Sequence, residues 1–246
     1  MTKFVLIAGG HHNDWCWTRL VPELEGRGDR AVAAHLPTAD PEAGLQSYAR
    51  AAVEKALVPG GDPDPDIILV GHSLAGTYLP LAAGLVPGSR MVFLCAMVPQ
   101  AGRSVIDARA ANPDDPTFGA EAFDEEGRLR PPSLETARQT LYGDCDEATV
   151  AWATERLEPQ GLAVMTEPFP AGGWPLGTPA AYVCCSEDRW VPPEQARQMA
   201  GARLGATLVE LPGRHSPFLS RPAELAEVLH RLAISEMAAW VRGATN

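Results

Sequence analysis

Short runs of apolar and β-branched residues recur along the chain at positions 4–8, 30–34, 67–70, 91–95, 180–184 and 207–211. Each is too short and too uniformly apolar for an amphipathic surface helix, and each reads as a buried strand. Between them lie stretches with helical spacing, at 15–27, 48–57, 74–85, 193–204 and 222–241. Strand followed by helix, repeated, predicts an α/β fold: a mainly parallel sheet of about six strands with helices on both faces.

That rhythm fails between residues 98 and 178, where charged, Pro-rich and Gly-rich segments surround weaker helical patterns at 134–141 and 147–157. We read residues 1–246 as one domain carrying an inserted helical cap at about 98–178. In an open α/β sheet ligands bind beyond the carboxyl ends of the strands, so an insertion leaving one strand end and returning at the next roofs that place. The cluster at 59–65, rich in Pro, Asp and Gly, reads as a surface loop.

Charge narrows the choice of partners. The 246 residues hold 20 Lys and Arg against 31 Asp and Glu, a formal charge of -11, and no basic stripe interrupts them. Such a field repels a phosphate backbone, so nucleic acid is not an expected partner. No run approaches transmembrane length and no secretory leader is visible, which predicts no membrane association. Cys16, Cys95, Cys145, Cys184 and Cys185 are odd in number and lack CxxC or Cys/His spacing, which argues against a disulfide framework or a structural zinc and fits a cytoplasmic protein. Lys3 and Lys55 are the only lysines among the 20 basic residues, a bias we read as that of a GC-rich bacterial genome.

The chemistry concentrates at strand ends. Residues 66–76 read DIILVGHSLAG, an apolar strand, a turn of small residues and a helix, with Ser73 at the apex. A nucleophile elbow needs small neighbours because its turn is tight, and needs the following helix so that N–H groups face the developing charge. Serine is a weak nucleophile until an oriented base takes its proton. After the strand ending at Leu211, PGRHSPF places His215 where that base belongs, and YVCCSEDRWVPP places Asp188, with Glu187 as fallback, after the strand ending near Cys184. Oxyanion donors are expected from the backbone N–H of Leu74 and, in AGGHHNDWCW, of Gly10 first and Gly9 second. The adjacent His11 and His12 are poorly placed to share a metal ion, so neither metal nor cofactor is expected. Trp15, Trp17, Phe118, Phe123, Tyr142, Trp152, Phe169 and Trp174 offer apolar surface for a pocket wall.

Together, FVLIAGGHHNDWCW, VGHSLAG, LYGDCDEATVAWATERLEPQ, CSEDRWVPPEQARQMA and ELPGRHSPFLSRPAELAEVL resemble the α/β-hydrolase superfamily over nearly the whole chain. Within it they are similar to the branch of plant methylesterases and hydroxynitrile lyases with their bacterial esterase-like relatives. The resemblance implies a triad of Ser73, Asp188 and His215, and an oxyanion hole at Leu74 and Gly10. Two positions depart from the pattern: Ala8 stands where relatives carry the histidine of an HG pair, and Ala75 replaces the usual elbow glycine. Hydroxynitrile lyases of the branch carry a threonine and a lysine where this chain has Gly9 and Ser216, which favours ester hydrolysis. The expected function is a carboxylesterase-like serine hydrolase acting on a small ester or related carbonyl compound through an acyl-enzyme. Lyase, decarboxylase or acyl-transfer chemistry at the same site, or small-molecule binding without catalysis, stay open as alternatives. So does the oligomeric state, a homodimer among the options.

Overall fold

Residues 2–7 (TKFVLI) open with two polar residues and are apolar from Phe4 to Ile7, and they form a strand that lies between two others instead of at an edge. In the computed structural model, which describes residues 1–54, 66–110 and 122–235, this is β1 (Thr2–Ile7). It is followed by β2 (Arg30–Ala33), β3 (Asp66–His72), β4 (Arg90–Leu94), β5 (Ala180–Cys185) and β6 (Thr207–Leu211). They build one six-stranded sheet in the order β2-β1-β3-β4-β5-β6, parallel throughout. Every residue of β4 and β5 is buried, as strands covered on both faces must be. The sequence places the six strands within one or two residues of these bounds.

Strand order reverses at the β1/β3 pair, the switch point beyond which α/β sheets hold their ligands. Because parallel crossovers are right-handed as a rule, α1 (Leu20–Glu25), leading from β1 out to β2, and α2 (Leu45–Glu54), leading from β2 back to β3, belong on opposite faces. Accordingly α1 packs on α10 (Pro222–Ile234), and α2 on α3 (Leu79–Gly84). At the amino end of the sheet the buried guanidinium of Arg90 pairs with Asp66 and donates to the carbonyls of Leu232 and Ala233 in the last turn of α10. A cation at a helix C-terminus answers both the unpaired carbonyls and the dipole.

Two expected helices are broken. The stretch 15–27 divides into a 3-10 turn, Asp14–Trp17, and α1. The stretch 74–85 divides into a 3-10 turn, Ser73–Thr77, and α3. Pro80 explains the second break: it has no N–H to give and its ring would meet the carbonyl of Gly76, so it is tolerated only in the first turn of a new helix. In the other direction, α2 begins at Leu45, three residues before the expected start, because the Glu167 carboxylate reaches its first turn and accepts the Leu45 N–H at 2.6 Å. The ends of the expected helices 48–57 and 222–241, the loop 59–65 and Phe118 lie partly or wholly outside the described residues.

Between β4 and β5 run α4 (Val105–Ala110), α5 (Leu134–Thr140), α6 (Glu147–Thr154) and α7 (Ala163–Thr166). Ser133 and Asp146 cap α5 and α6 by accepting the N–H of the third helical residue. Leu129, Ala137, Tyr142, Val150, Val164 and Phe169 from this stretch join the same buried cluster as the sheet. After β5 come α8 (Pro193–Met199), continued by a π-helical turn, and then, beyond β6, α9 (Pro217–Ser220) and α10. Among the described residues no helix is long and apolar enough to cross a membrane.

Candidate active site

The turn after β3 forces Ser73 into the left-handed region, at φ 52. For a residue with a Cβ this costs on the order of 1–3 kcal/mol and persists only where surroundings hold it. Here the Met97 N–H donates to the Ser73 carbonyl at 3.0 Å and the Thr77 hydroxyl to the Leu74 carbonyl at 2.7 Å. The glycine requirement of the elbow falls on Gly76: a Cβ there would lie 2.0 Å from the Met97 carbonyl oxygen, whereas Ala75 is fully buried with its methyl accommodated. The departure at position 75 therefore leaves the close backbone approach intact.

His215, on the loop between β6 and α9, brings Nε2 to 3.0 Å from Ser73 Oγ and Nδ1 to 2.8 Å from Asp188 Oδ2. The other oxygen of Asp188 accepts the N–H groups of Trp190 and Val191 at 2.8 and 3.0 Å, which fixes the carboxylate plane. Asp188 and His215 are buried, and Ser73 is 6% exposed. Glu187 is exposed, and its backbone N–H donates to the Gly213 carbonyl at 2.9 Å. The loop bearing His215 is held from below, where His72 Nε2 donates to the His215 carbonyl at 2.9 Å.

The loop after β1 lies against the elbow. A Cβ on Gly9 would come 2.8 Å from Ser73 Cβ, so this position admits no side chain without a shift, and Gly10 lies in ordinary contact range of the Leu74 side chain. Leu74 is the second residue of the Ser73–Thr77 turn, where a helix start leaves its N–H groups without partners inside the helix, and among the described residues no loop or turn hydrogen bond between backbone groups takes the Gly10 N–H. Ala8, where an HG histidine was the pattern, is buried, and its carbonyl accepts from the Tyr78 hydroxyl at 3.4 Å.

Three side chains that sequence reasoning did not assign, His12, Gln160 and His72, complete the surroundings together with Tyr142. His12 Nδ1 donates to the Gly10 carbonyl at 2.8 Å, and its Nε2 accepts from the Tyr142 hydroxyl at 2.7 Å. Gln160 Oε1 accepts the His11 N–H at 3.1 Å, and His72 holds the His215 loop. The contacts of Tyr142 with His12, Gln160 with His11 and His72 with His215 join positions 130, 149 and 143 apart, beyond the reach of any local pattern. Burial pushes His12 down to about 3 and His72 well below the ordinary imidazole value, with repulsion from neighbouring imidazoles adding to both. Burial moves two thiols the other way, raising Cys184 to about 11 and Cys145 to about 12, so neither is a thiolate at neutral pH. Of the expected pocket aromatics, Trp17, Tyr142 and Phe169 are fully buried core, Trp17 packing on Phe218 and Phe169 on Trp174.

The chain is similar to known proteins along most of its length. A pyrethroid hydrolase from Sphingobium wenxiniae is 27% identical over 248 residues, 93% of this chain and 86% of its own. Methylesterase 7 of Arabidopsis thaliana is 27% identical over 252 residues, 94% of this chain and 96% of its own. Among solved structures, an extracellular alpha/beta-hydrolase from a Paenibacillus species superposes with a TM-score of 0.78 at 21% identity, covering 96% of this chain and all of that one. The model of the alpha/beta hydrolase family matches residues 4–228, and the chain belongs to that family.

Proposed function

We propose that this carboxylesterase-like hydrolase works through Ser73 as nucleophile, His215 as general base and Asp188 as the group that orients the base, on a small carboxylic ester. The observation that carries the reading is the unbroken relay from Ser73 Oγ through both ring nitrogens of His215 to Asp188, set on a left-handed elbow. His215 takes the Ser73 proton as Oγ attacks the carbonyl carbon, and the N–H groups of Leu74 and Gly10 receive the oxyanion. The tetrahedral intermediate collapses with transfer of that proton to the departing alcohol. Water, activated by the same imidazole, then releases the acid.

Hydrolysis is favoured over cyanohydrin cleavage by the packing at Gly9, since a threonine there would drive its Cβ against Ser73 Cβ and His72 Nδ1, each 2.8 Å away. The helices inserted between β4 and β5 serve as the cap over the strand ends. Pyrethroid esters and methyl esters, named for the two relatives above, are the first substrates to try. Five free cysteines suit a reducing compartment, and we place the protein in the cytoplasm.

A fluorophosphonate followed by intact-mass measurement tests the assignment. One adduct is expected per chain, absent in Ser73→Ala, together with loss of aryl acetate turnover by at least about 10³-fold in Ser73→Ala and in His215→Ala. Turnover that survives either substitution refutes the assigned role.

A further inference from the structure

The donor attributed to Gly10 sits in a tight turn whose every peptide is held. Its first carbonyl, of Gly9, accepts the His12 N–H at 3.2 Å, closing a four-residue turn. In a planar trans peptide the N–H points opposite to the C=O, so tying the Gly9 carbonyl back to His12 turns the Gly10 N–H the other way. The third residue, His11, adopts φ 63, the left-handed value that a type II turn demands there and that a residue with a side chain resists.

The central peptide, between Gly10 and His11, decides whether the turn keeps that form, because types I and II differ by its rotation through half a circle. Both of its ends are gripped by buried side chains. The Gly10 carbonyl accepts from His12 Nδ1 at 2.8 Å, and the His11 N–H donates to Gln160 Oε1 at 3.1 Å. A carbonyl can only accept, so His12 Nδ1 carries the proton and Nε2 is left as the acceptor that Tyr142 fills. Gln160 is itself immobilised: its backbone exchanges two hydrogen bonds with Leu129, and its Nε2 donates to the Tyr48 hydroxyl and the Gly161 carbonyl at 2.9 and 3.0 Å. The next strut is Glu158, whose N–H donates to the His11 carbonyl at 2.9 Å.

We propose that Gln160 and His12 are positioning residues that lock the turn presenting the Gly10 N–H, and that Tyr142 extends this lock into the segment inserted between β4 and β5. This rests on the oxyanion reading given above. Neither residue touches the ester. Their effect is to keep the donor where the charge appears, so they stabilise the tetrahedral state more than the bound substrate. The insertion is thereby part of the catalytic centre, through Tyr142 on one side of the turn and Gln160 on the other.

The test compares Gln160→Met, which keeps length and loses the acceptor, with Gln160→Glu, which restores an acceptor for the His11 N–H, and with Tyr142→Phe, which keeps the buried ring. Steady-state kinetics on an aryl acetate are combined with inhibition by phenylboronic acid, whose tetrahedral adduct on serine places an oxygen in the hole. For Gln160→Met we expect kcat to fall about 10- to 100-fold with KM within about twofold, and boronate inhibition to weaken in parallel. Gln160→Glu is expected to recover most of that loss, and Tyr142→Phe to lower kcat by about three- to tenfold, again without change in KM. A Gln160→Met enzyme with kcat within twofold of the parent, or a Gln160→Glu enzyme as impaired as Gln160→Met, overturns the proposal. Should Gln160→Met fail to fold, Tyr142→Phe decides, an unchanged kcat refuting the lock. Ser73→Ala and His215→Ala run alongside keep the two readings apart: if they are inactive while the clamp variants are normal, the triad stands and the clamp falls.

Discussion

The two oxygens of Asp188 are committed to different partners, and this makes the conservative substitution the informative one. Oδ1 accepts two backbone N–H groups, from Trp190 and Val191, while Oδ2 faces His215 Nδ1. In Asp188→Asn the amide oxygen must stay on the two N–H groups, which leaves the NH2 group facing Nδ1. That selects the wrong tautomer, with the proton on Nε2 pointing at Ser73 Oγ, and the imidazole is no longer a base. We expect kcat on an aryl acetate to drop about 10³- to 10⁴-fold while KM and the unfolding midpoint change little. Glu187→Gln, exposed and outside the relay, should stay within about twofold of the parent. Ser73, His215 and Asp188 were legible in the sequence because each follows a recognisable strand, and parallel strands bring their carboxyl ends together. In YVCCSEDRWVPP the apolar residue and prolines after Asp188 favour it over Glu187. The structure adds the reason: the turn into those prolines supplies the two N–H groups that hold the carboxylate. Gln160 carried no such signal, being 149 positions from its partner His11 in a segment with only weak periodicity.

The elbow and its helix show how an element's limits come from neighbours. Gly76 packs against the chain leaving β4, where an added methyl would fall 2.0 Å from the Met97 carbonyl oxygen and 2.9 Å from the Ala96 side chain. Those are backbone and buried atoms that cannot turn aside, and Met97 also holds the Ser73 carbonyl. Gly76→Ala should therefore cost about 3 kcal/mol or more and loosen the strained conformation of Ser73. Ala75→Gly removes a buried methyl and frees the backbone, and is expected to cost only about 1–2 kcal/mol. Denaturant midpoints and the rate of fluorophosphonate labelling check both, and an equal effect of the two substitutions would contradict this account. The motif reading placed the critical small residue at 75, since local sequence shows that a turn is tight but not which Cα the opposing strand end approaches. The early start of α2 was hidden for a related reason: its cap is Glu167, 122 residues away and part of another element.

At the scale of the molecule, strand and helix order fixed the layers, and the reversal of strand order at β1 and β3 explains why the Gly9 and Gly10 loop meets Ser73 at all. Closing that junction requires polar rings inside the core, which links the site to stability. His12 and His72 are fully buried and held neutral, His12 titrating at about 3 and His72 well below the ordinary 6.5. In the unfolded chain both take up a proton near pH 6.5, while the folded protein does not, so the unfolded state binds more protons below that value and stability falls as pH is lowered. The contribution is fully present above about pH 6.5 and drains away towards pH 3, with a slope approaching about 1.4 kcal/mol per pH unit for each imidazole. Carboxylates act elsewhere: Asp107 and Asp146, held low by hydrogen bonds from Ser104 and Thr149, lose their contribution only below about pH 4. The net charge of -11 pulls the opposite way, since acidification relieves self-repulsion. At about 0.15 M salt that term is screened beyond about 8 Å, whereas the cost of charging a buried ring is not. Urea unfolding at this ionic strength should therefore give a midpoint that is level between pH 8 and 7 and declines steadily from pH 6 to 4.5. A midpoint that held level or rose over that lower interval would show that these imidazoles are charged in the folded protein, and with them the hydrogen bonds that seat the His215 loop and the Gly10 turn would have to be redrawn.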